Sequence, residues 1–227
     1  MKERPIIFNA DMVRAILDGR KTQTRRIMKP QPKPTPDDYY GKKGHQWPSK
    51  KHQSMLHVEG ELQNGYGNWN GLASDACPFG AVGEHLWVRE TFAVVPRTAY
   101  AHSDGVTQIK SPIDKDNASI YKADWCRSEG GIRWKPSIHM PRWASRIILQ
   151  ITNIRVERLQ EINEQDASAE GCDYPEVEGM GWKFKPSFNF KFLWKKIYGQ
   201  ESLDANPWVW VIEFKVLTTN GVIGEVA

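Results

Sequence analysis

From Ala10 to Leu17 the apolar residues Met12, Val13, Ile16 and Leu17 return at helical spacing, with Asn9 or Asp11 placed to cap the start and Gly19 to end the turn. The segment after it, Thr22 to Met28, is threonine-rich and stops before Pro30, which predicts an extended chain leaving the helix. GEHLWVRETFAV sets Leu86 and Val88 against Trp87 and Arg89, a strand with one face toward the core. SIYKADW reads as another strand. In ASRIILQITNIRVERL, Ile147, Leu149, Ile151 and Ile154 cannot all keep one strict register, so a long or bent strand is expected.

INEQDASAEG then predicts a short helix capped by Asn163 and ended by Gly171, and NFKFLWKKIYG a further one with Phe190, Leu193, Trp194 and Ile197 at helical spacing. PWVWVIEFKVL alternates Val209 and Val211 with Trp208, Trp210 and Ile212 as a closing strand. Nonconsecutive strands with a few short helices predict an α+β class, a barrel or half-barrel, in a single domain over 1–227 with no internal repeat.

Three stretches interrupt the pattern, at about 29–75, 96–118 and 172–188. The first holds Pro30, Pro32, Pro34 and Pro36, the basic GKKGHQWPSKKHQ and the glycine- and asparagine-rich NGYGNWNG, without a sustained period. It is expected as an irregular insertion, a functional flap or a poorly ordered loop, with Trp47 and Trp69 as exposed stacking groups.

Composition narrows the classes. The 227 residues carry a net charge of +4 and are 11% aromatic, too rich for a chain that stays unfolded. Residues 1–60 hold 13 Lys+Arg against 6 Asp+Glu, whereas the remainder is net −3, so the basic side lies at the front and suits a phosphate-bearing partner. No apolar run reaches the roughly 18 to 20 residues of a membrane span and the opening does not resemble a signal peptide, so a cytoplasmic protein without a membrane partner is expected. Cys77, Cys126 and Cys172 form no CxxC pair, and His45, His52 and His57 lack ligand partners at metal-binding intervals; no metal or cofactor site is expected. Phosphate-cradling glycine loops are missing as well.

The densest polar cluster is GRKTQTRR, Gly19 to Arg26. Its cations complement the negative pole of the preceding helix, which is a sufficient structural reason for them. Lys21 and Thr24 also supply an amine and a hydroxyl within a few residues, the pairing by which a desolvated lysine activates an alcohol. In a regular strand the two would face opposite ways, so their cooperation requires a turn at about Arg20 to Gln23.

Gly19, Lys21 and Arg26 match the G-x-K-x-x-E-x-R signature of the ASCH domains, with Thr24 where the signature has Glu. The chain resembles that family also in its first helix, GEHLWVRETF, IHMPRWASRI, ERLQEINEQDASAEG and the closing WVWVIEFKVL, and is similar to its phage- and prophage-borne members. The resemblance implies a PUA-like barrel that handles RNA. The G-R-K-T-x-T-x-R variant resembles small bacterial ASCH amidohydrolases that deacetylate N4-acetylcytidine, about half as long as this chain. It implies Thr24 as nucleophile, Lys21 as its base and Glu170 as proton shuttle, with the acids Glu161, Glu164 and Asp166 close by in sequence. No metal or cofactor is implied.

Arg26 is then expected to stabilise developing charge, Trp87 to offer a flat platform for the base, Arg89 and Glu90 to form a polar pocket wall, and Arg142, Trp143 and Arg146 to contact RNA. The partner is a modified nucleoside or RNA. Two rival readings share these residues. One is an RNA-binding module in which Lys21, Arg25, Arg26, Arg142 and Arg146 meet phosphates without chemistry; the other is an RNA-cleaving enzyme using a Lys/Glu pair.

Overall fold

The computed structural model describes residues 2–35, 43–63, 71–128, 130–173 and 184–221. Along the chain the elements are β1 (Glu3–Ile7), α1 (Ala10–Leu17), β2 (Gln23–Ile27), β3 (Lys33–Pro34), β4 (His45–Ser49), β5 (Ser54–His57), α2 (Ala73–Ala76), β6 (His85–Arg89), β7 (Phe92–Pro96), β8 (Ile109–Lys110), β9 (Asn117–Tyr121), β10 (Ile148–Arg158), α3 (Glu164–Ala169), α4 (Pro186–Tyr198), α5 (Gln200–Asp204) and β11 (Trp208–Thr218). They belong to two compact units, each assembled from separate stretches of chain: Met1–Gly19, Glu84–Gln150 and Lys215–Ala227 in the first, Arg20–Gly83 and Ile151–Phe214 in the second. The class is α+β. Among the described residues no strand pairing closes a barrel, and no helix is long and apolar enough to cross a membrane.

In the first unit β1 runs parallel to β6, from Glu3 beside His85 to Ile7 beside Arg89, and the start of β10 pairs with β6 antiparallel. The sequence pattern misses β1 because Arg4 and Pro5 break its alternation, and only Ile6 is buried in it. α1 forms where the 3.6-residue period places it. The Asn9 side chain accepts a hydrogen bond from the Met12 N–H at 2.9 Å, and Gly19 takes φ 73°, the left-handed turn that glycine enters without a Cβ penalty. The face of α1 carrying Val13 and Ile16 is buried, which is worth about 1.5–3 kcal/mol per large side chain. The expected strand GEHLWVRETFAV is two strands, β6 and β7, broken where Glu90 turns inward. β7, β9 and β8 make a small antiparallel sheet over Phe92, Tyr121 and Met140.

The second unit is built on β11, which pairs antiparallel with β2 on one side and has β10 on the other. Val209 and Val211 pack against Phe190 and Trp194 of α4 and Ala167 of α3. Trp208 and Trp210 lie on the opposite face, edge-on to His45 and Trp47 of β4 at 5.4 and 5.3 Å. Covered on both faces, Trp208 to Ile212 are all buried, so the alternation that marked the strand sorts neighbours and not inside from outside.

The layer beside the tryptophans comes from the stretch expected to be irregular. β3, β4 and β5 form a three-stranded antiparallel sheet there. Trp47, expected to be exposed, is 5% accessible, and its indole N–H donates to the Pro30 carbonyl at 3.0 Å. Two-residue β3 and proline-bearing β4 are too short to show a period. Trp69 and most of the other insertion at 172–188, up to Lys183, lie outside the described residues.

Candidate functional site

Three local periodicities of the second unit converge on one ionic cluster. Along β2 and the residues leading into it, Lys21, Gln23 and Arg25 lie two apart and share a face. On α3 and its C-terminal cap, Asp166 and Glu170 lie four apart. On β10, Arg155 and Glu157 lie two apart. The Lys21 ammonium sits 2.7 Å from Glu170 Oε2 and donates also to the Glu170 carbonyl at 2.9 Å. The two residues form an isolated antiparallel bridge as well, with the Thr22 N–H bonded to the Ala169 carbonyl at 2.8 Å, so backbone pairing brings the side chains together.

Arg25 joins the same carboxylate from the other side, Nη1 to Glu170 Oε1 at 3.1 Å. It also reaches Glu157 Oε1 at 2.9 Å and Asp166 Oδ2 at 3.1 Å. Its guanidinium lies over the Phe190 ring of α4, 5.7 Å from the centroid. Gln23 donates to Asp166, and Arg155 bridges Glu157, Asp166 and Glu213. Three cations thus face four carboxylates.

The side chains of Lys21 and Arg25 have no accessible surface and that of Glu170 has 3%. Burial pushes the Lys21 amine below its usual range, with the Glu170 charge and hydrogen bond pulling it back up and Arg26 adding to the depression. Burial and the Glu170 charge push the Cys172 thiol up to about 12, so this cysteine is a packing residue and not a thiolate.

The turn that would swing Thr24 onto the Lys21 side is not where the sequence needed it. The chain turns at Asp18 and Gly19 and is extended from Lys21 onward. Thr24 stands opposite Ile212 and Arg26 opposite Trp210 in the β2–β11 ladder. Both therefore occupy the tryptophan face, while Lys21, Gln23 and Arg25 occupy the helix face. On the tryptophan face Thr24 is 2% accessible, Arg26 is half-buried, and the buried Trp210 indole N–H has no hydrogen-bond partner among the described residues. Lys21 and Glu170 are in contact; Thr24 is one strand face away.

The remaining expected site residues belong to the first unit. Arg146, expected on phosphate, is instead a core residue at 1% exposure. It holds Glu90 through two bonds of 2.9 and 3.0 Å and Asp124 through one of 2.7 Å, with its guanidinium 4.0 Å over the Tyr121 ring. Burial opposes its charge, but Glu90 and Asp124 hold it ionised. Glu90, expected as a pocket wall, is buried as the partner of that cation, and burial raises its carboxyl above the usual range against the pull of Arg146.

Arg142 is engaged bidentately by Glu3 at 2.7 and 3.1 Å. Arg89 lies over Trp87 at 5.4 Å and donates to the Ile138 carbonyl. Trp143 packs against the Phe92, Tyr121 and Met140 cluster. The sequence reading overlooked Glu157, Arg155 and the part Asp166 plays, although the spacings of two and four residues that assemble them were present in it. No family model, curated protein or solved structure matches the chain.

Proposed function

We propose that the chain is a metal-free amidohydrolase that removes an N-acyl group from a cytosine-type nucleobase such as N4-acetylcytidine, with Lys21 and Glu170 as its proton-transfer centre. The contact between these two side chains carries the reading. Burial lowers the Lys21 amine below its ordinary range, which favours the neutral form that acts as a base, and the Glu170 carboxylate 2.7 Å away accepts the proton it collects. Arg25, bonded to the other carboxylate oxygen, keeps Glu170 oriented.

In the reaction the neutral Lys21 amine takes the proton of the attacking hydroxyl, the acyl carbon becomes tetrahedral, and the C–N bond breaks as Glu170 delivers the proton to the departing exocyclic nitrogen. Arg26 shares the tryptophan face with Thr24 and supplies positive charge to the oxyanion of a substrate bound from that side. The attacking oxygen is that of water, which the pair serves directly, or that of Thr24, as the resemblance implies. Attack by Thr24 moves the acyl group onto its Oγ as an ester, which a water molecule then cleaves, returning a proton to Oγ and releasing acetate, and it needs a base on the tryptophan face because Lys21 lies across the strand. A hydroxyl on the tryptophan face needs a substrate bound from that side, whereas water needs access only to the pair.

Acetate release from N4-acetylcytidine tests this. The expected result is turnover that rises with pH through the lowered Lys21 value, below the ordinary 10.5, and falls at least about 100-fold in both Lys21→Met and Glu170→Gln. Thermal melting separates lost chemistry from lost folding. Thr24→Ala then decides the nucleophile: turnover disappears if the hydroxyl attacks and persists if water does. Absence of acetate release from the wild-type protein, or unchanged release in folded Lys21→Met and Glu170→Gln, overturns the reading.

A further inference from the structure

The second unit holds two buried donors that none of its described groups accepts. The indole N–H groups of Trp208 and Trp210 have no hydrogen-bond partner among the described residues, although Trp208 is only 5% accessible and Trp210 is wholly buried. Such orphans cost folding free energy and native interiors keep few of them, so each calls for a physical reason. Trp47 does not supply one for Trp210. Its ring stands 5.3 Å away at 81° and presents no lone pair, and its own N–H is spent on the Pro30 carbonyl.

The two orphans differ in their neighbours. Trp210 stands directly opposite Arg26 in the β2–β11 ladder, and Thr24 stands opposite Ile212, one step along the same face. Directly opposed residues have Cβ atoms about 5 Å apart and diagonal ones about 7 Å, so the Trp210 ring, the Arg26 side chain and the Thr24 hydroxyl border one small patch. Arg26, half-buried, is the member of that patch open to solvent. Trp208 has Met28 beside it instead, with the Met28 N–H on the Trp208 carbonyl at 3.0 Å, and the Arg158 guanidinium lies 4.4 Å over its ring.

We infer that the Trp210 indole N–H is a catalytic donor which, together with Arg26, holds the acyl oxygen of the substrate as that oxygen becomes an oxyanion. The inference rests on the hydrolytic reading, with the acyl group seated on the tryptophan face. An oxyanion is stabilised by donors fixed in place before its charge develops, about 2.7–3.1 Å from it. Arg26 brings charge on a long, pliable stem. The Trp210 ring, held by core packing, brings direction, and away from water its hydrogen bond is stronger. A resting amide oxygen draws less from both donors than the charged oxygen does, so the contact acts on kcat more than on KM.

The test removes this N–H and keeps the ring. Trp210→benzothienylalanine puts sulfur in place of the N–H within the same bicyclic shape, Trp210→Phe is its genetically encoded companion, and Trp208→benzothienylalanine is the control. Acetate release from N4-acetylcytidine gives kcat and KM, and thermal melting reports the fold. Trp210→benzothienylalanine is expected to keep or raise the melting temperature, since an unsatisfied donor is gone, and to lower kcat about 100-fold with KM within about twofold. Trp210→Phe is expected to lose at least as much turnover, and the control to keep the wild-type kcat.

Wild-type kcat in Trp210→benzothienylalanine overturns the inference and leaves the hydrolytic reading standing. A lowered melting temperature in that variant, or an equal loss of kcat in the control, overturns it too, because the N–H or the ring is then structural. Absence of acetate release from the wild-type protein overturns the inference and the hydrolytic reading together.

Discussion

Lys21 and Arg146 are both cations withdrawn from water, and what separates them is the direction in which their surroundings move them, Lys21 down and Arg146 up. Arg146 spends its guanidinium on two carboxylates and a tyrosine ring, which is the arrangement of a structural tie. Lys21 has an ammonium on a carboxylate oxygen and a carbonyl, and its pKa is lowered, which is the arrangement of a group that can exchange a proton. Removing one partner of a buried ion pair costs about 3–5 kcal/mol, because the remaining charge stays buried. Glu90→Gln is therefore expected to destabilise the fold by about 3 kcal/mol, at the low end since Asp124 still faces Arg146. Urea denaturation measures it, and a loss below about 1 kcal/mol would show that Asp124 alone suffices.

α3 illustrates how a short element can be decisive. Six residues are too few to hold a helix by propensity alone, so its position rests on the Asn163 side chain accepting the Asp166 N–H at 2.8 Å and on the packing of Ala167. Asn163→Ala is expected to cost about 1 kcal/mol and to lower acetate release by loosening Glu170 at the end of the helix. Asn9→Ala, the equivalent cap removal on α1, is expected to cost about as much and leave turnover unchanged. Melting temperature and initial rate on the same samples distinguish the two. Both caps were legible in the sequence, since Asn followed by an apolar period and a terminating glycine is a local signal. β3 to β5 were not, because strands of two to five residues with prolines among them become strands only through their partners.

At the scale of the whole molecule, the first 83 residues contribute to both compact units and complete neither. Residues 1–83 expressed alone are expected to lack the near-ultraviolet circular dichroism and cooperative melting of the full chain; a cooperative transition in that fragment would contradict the interleaved division. The sequence by itself determined α1, α3 and α4, the long strands β10 and β11 and the polar cluster beginning at Lys21, all of which depend on neighbours within one or two helical turns or along one strand. Tertiary structure alone decided that Arg146 and Glu90 neutralise one another inside the first unit and that Trp47 is core. It also decided that Thr24 lies across the strand from Lys21, and that Arg25, Glu157 and Asp166 complete the Lys21–Glu170 cluster. Each of those outcomes pairs residues far apart along the chain, and a charge or an indole carries the same local pattern whether its partner is water or the far end of the polypeptide.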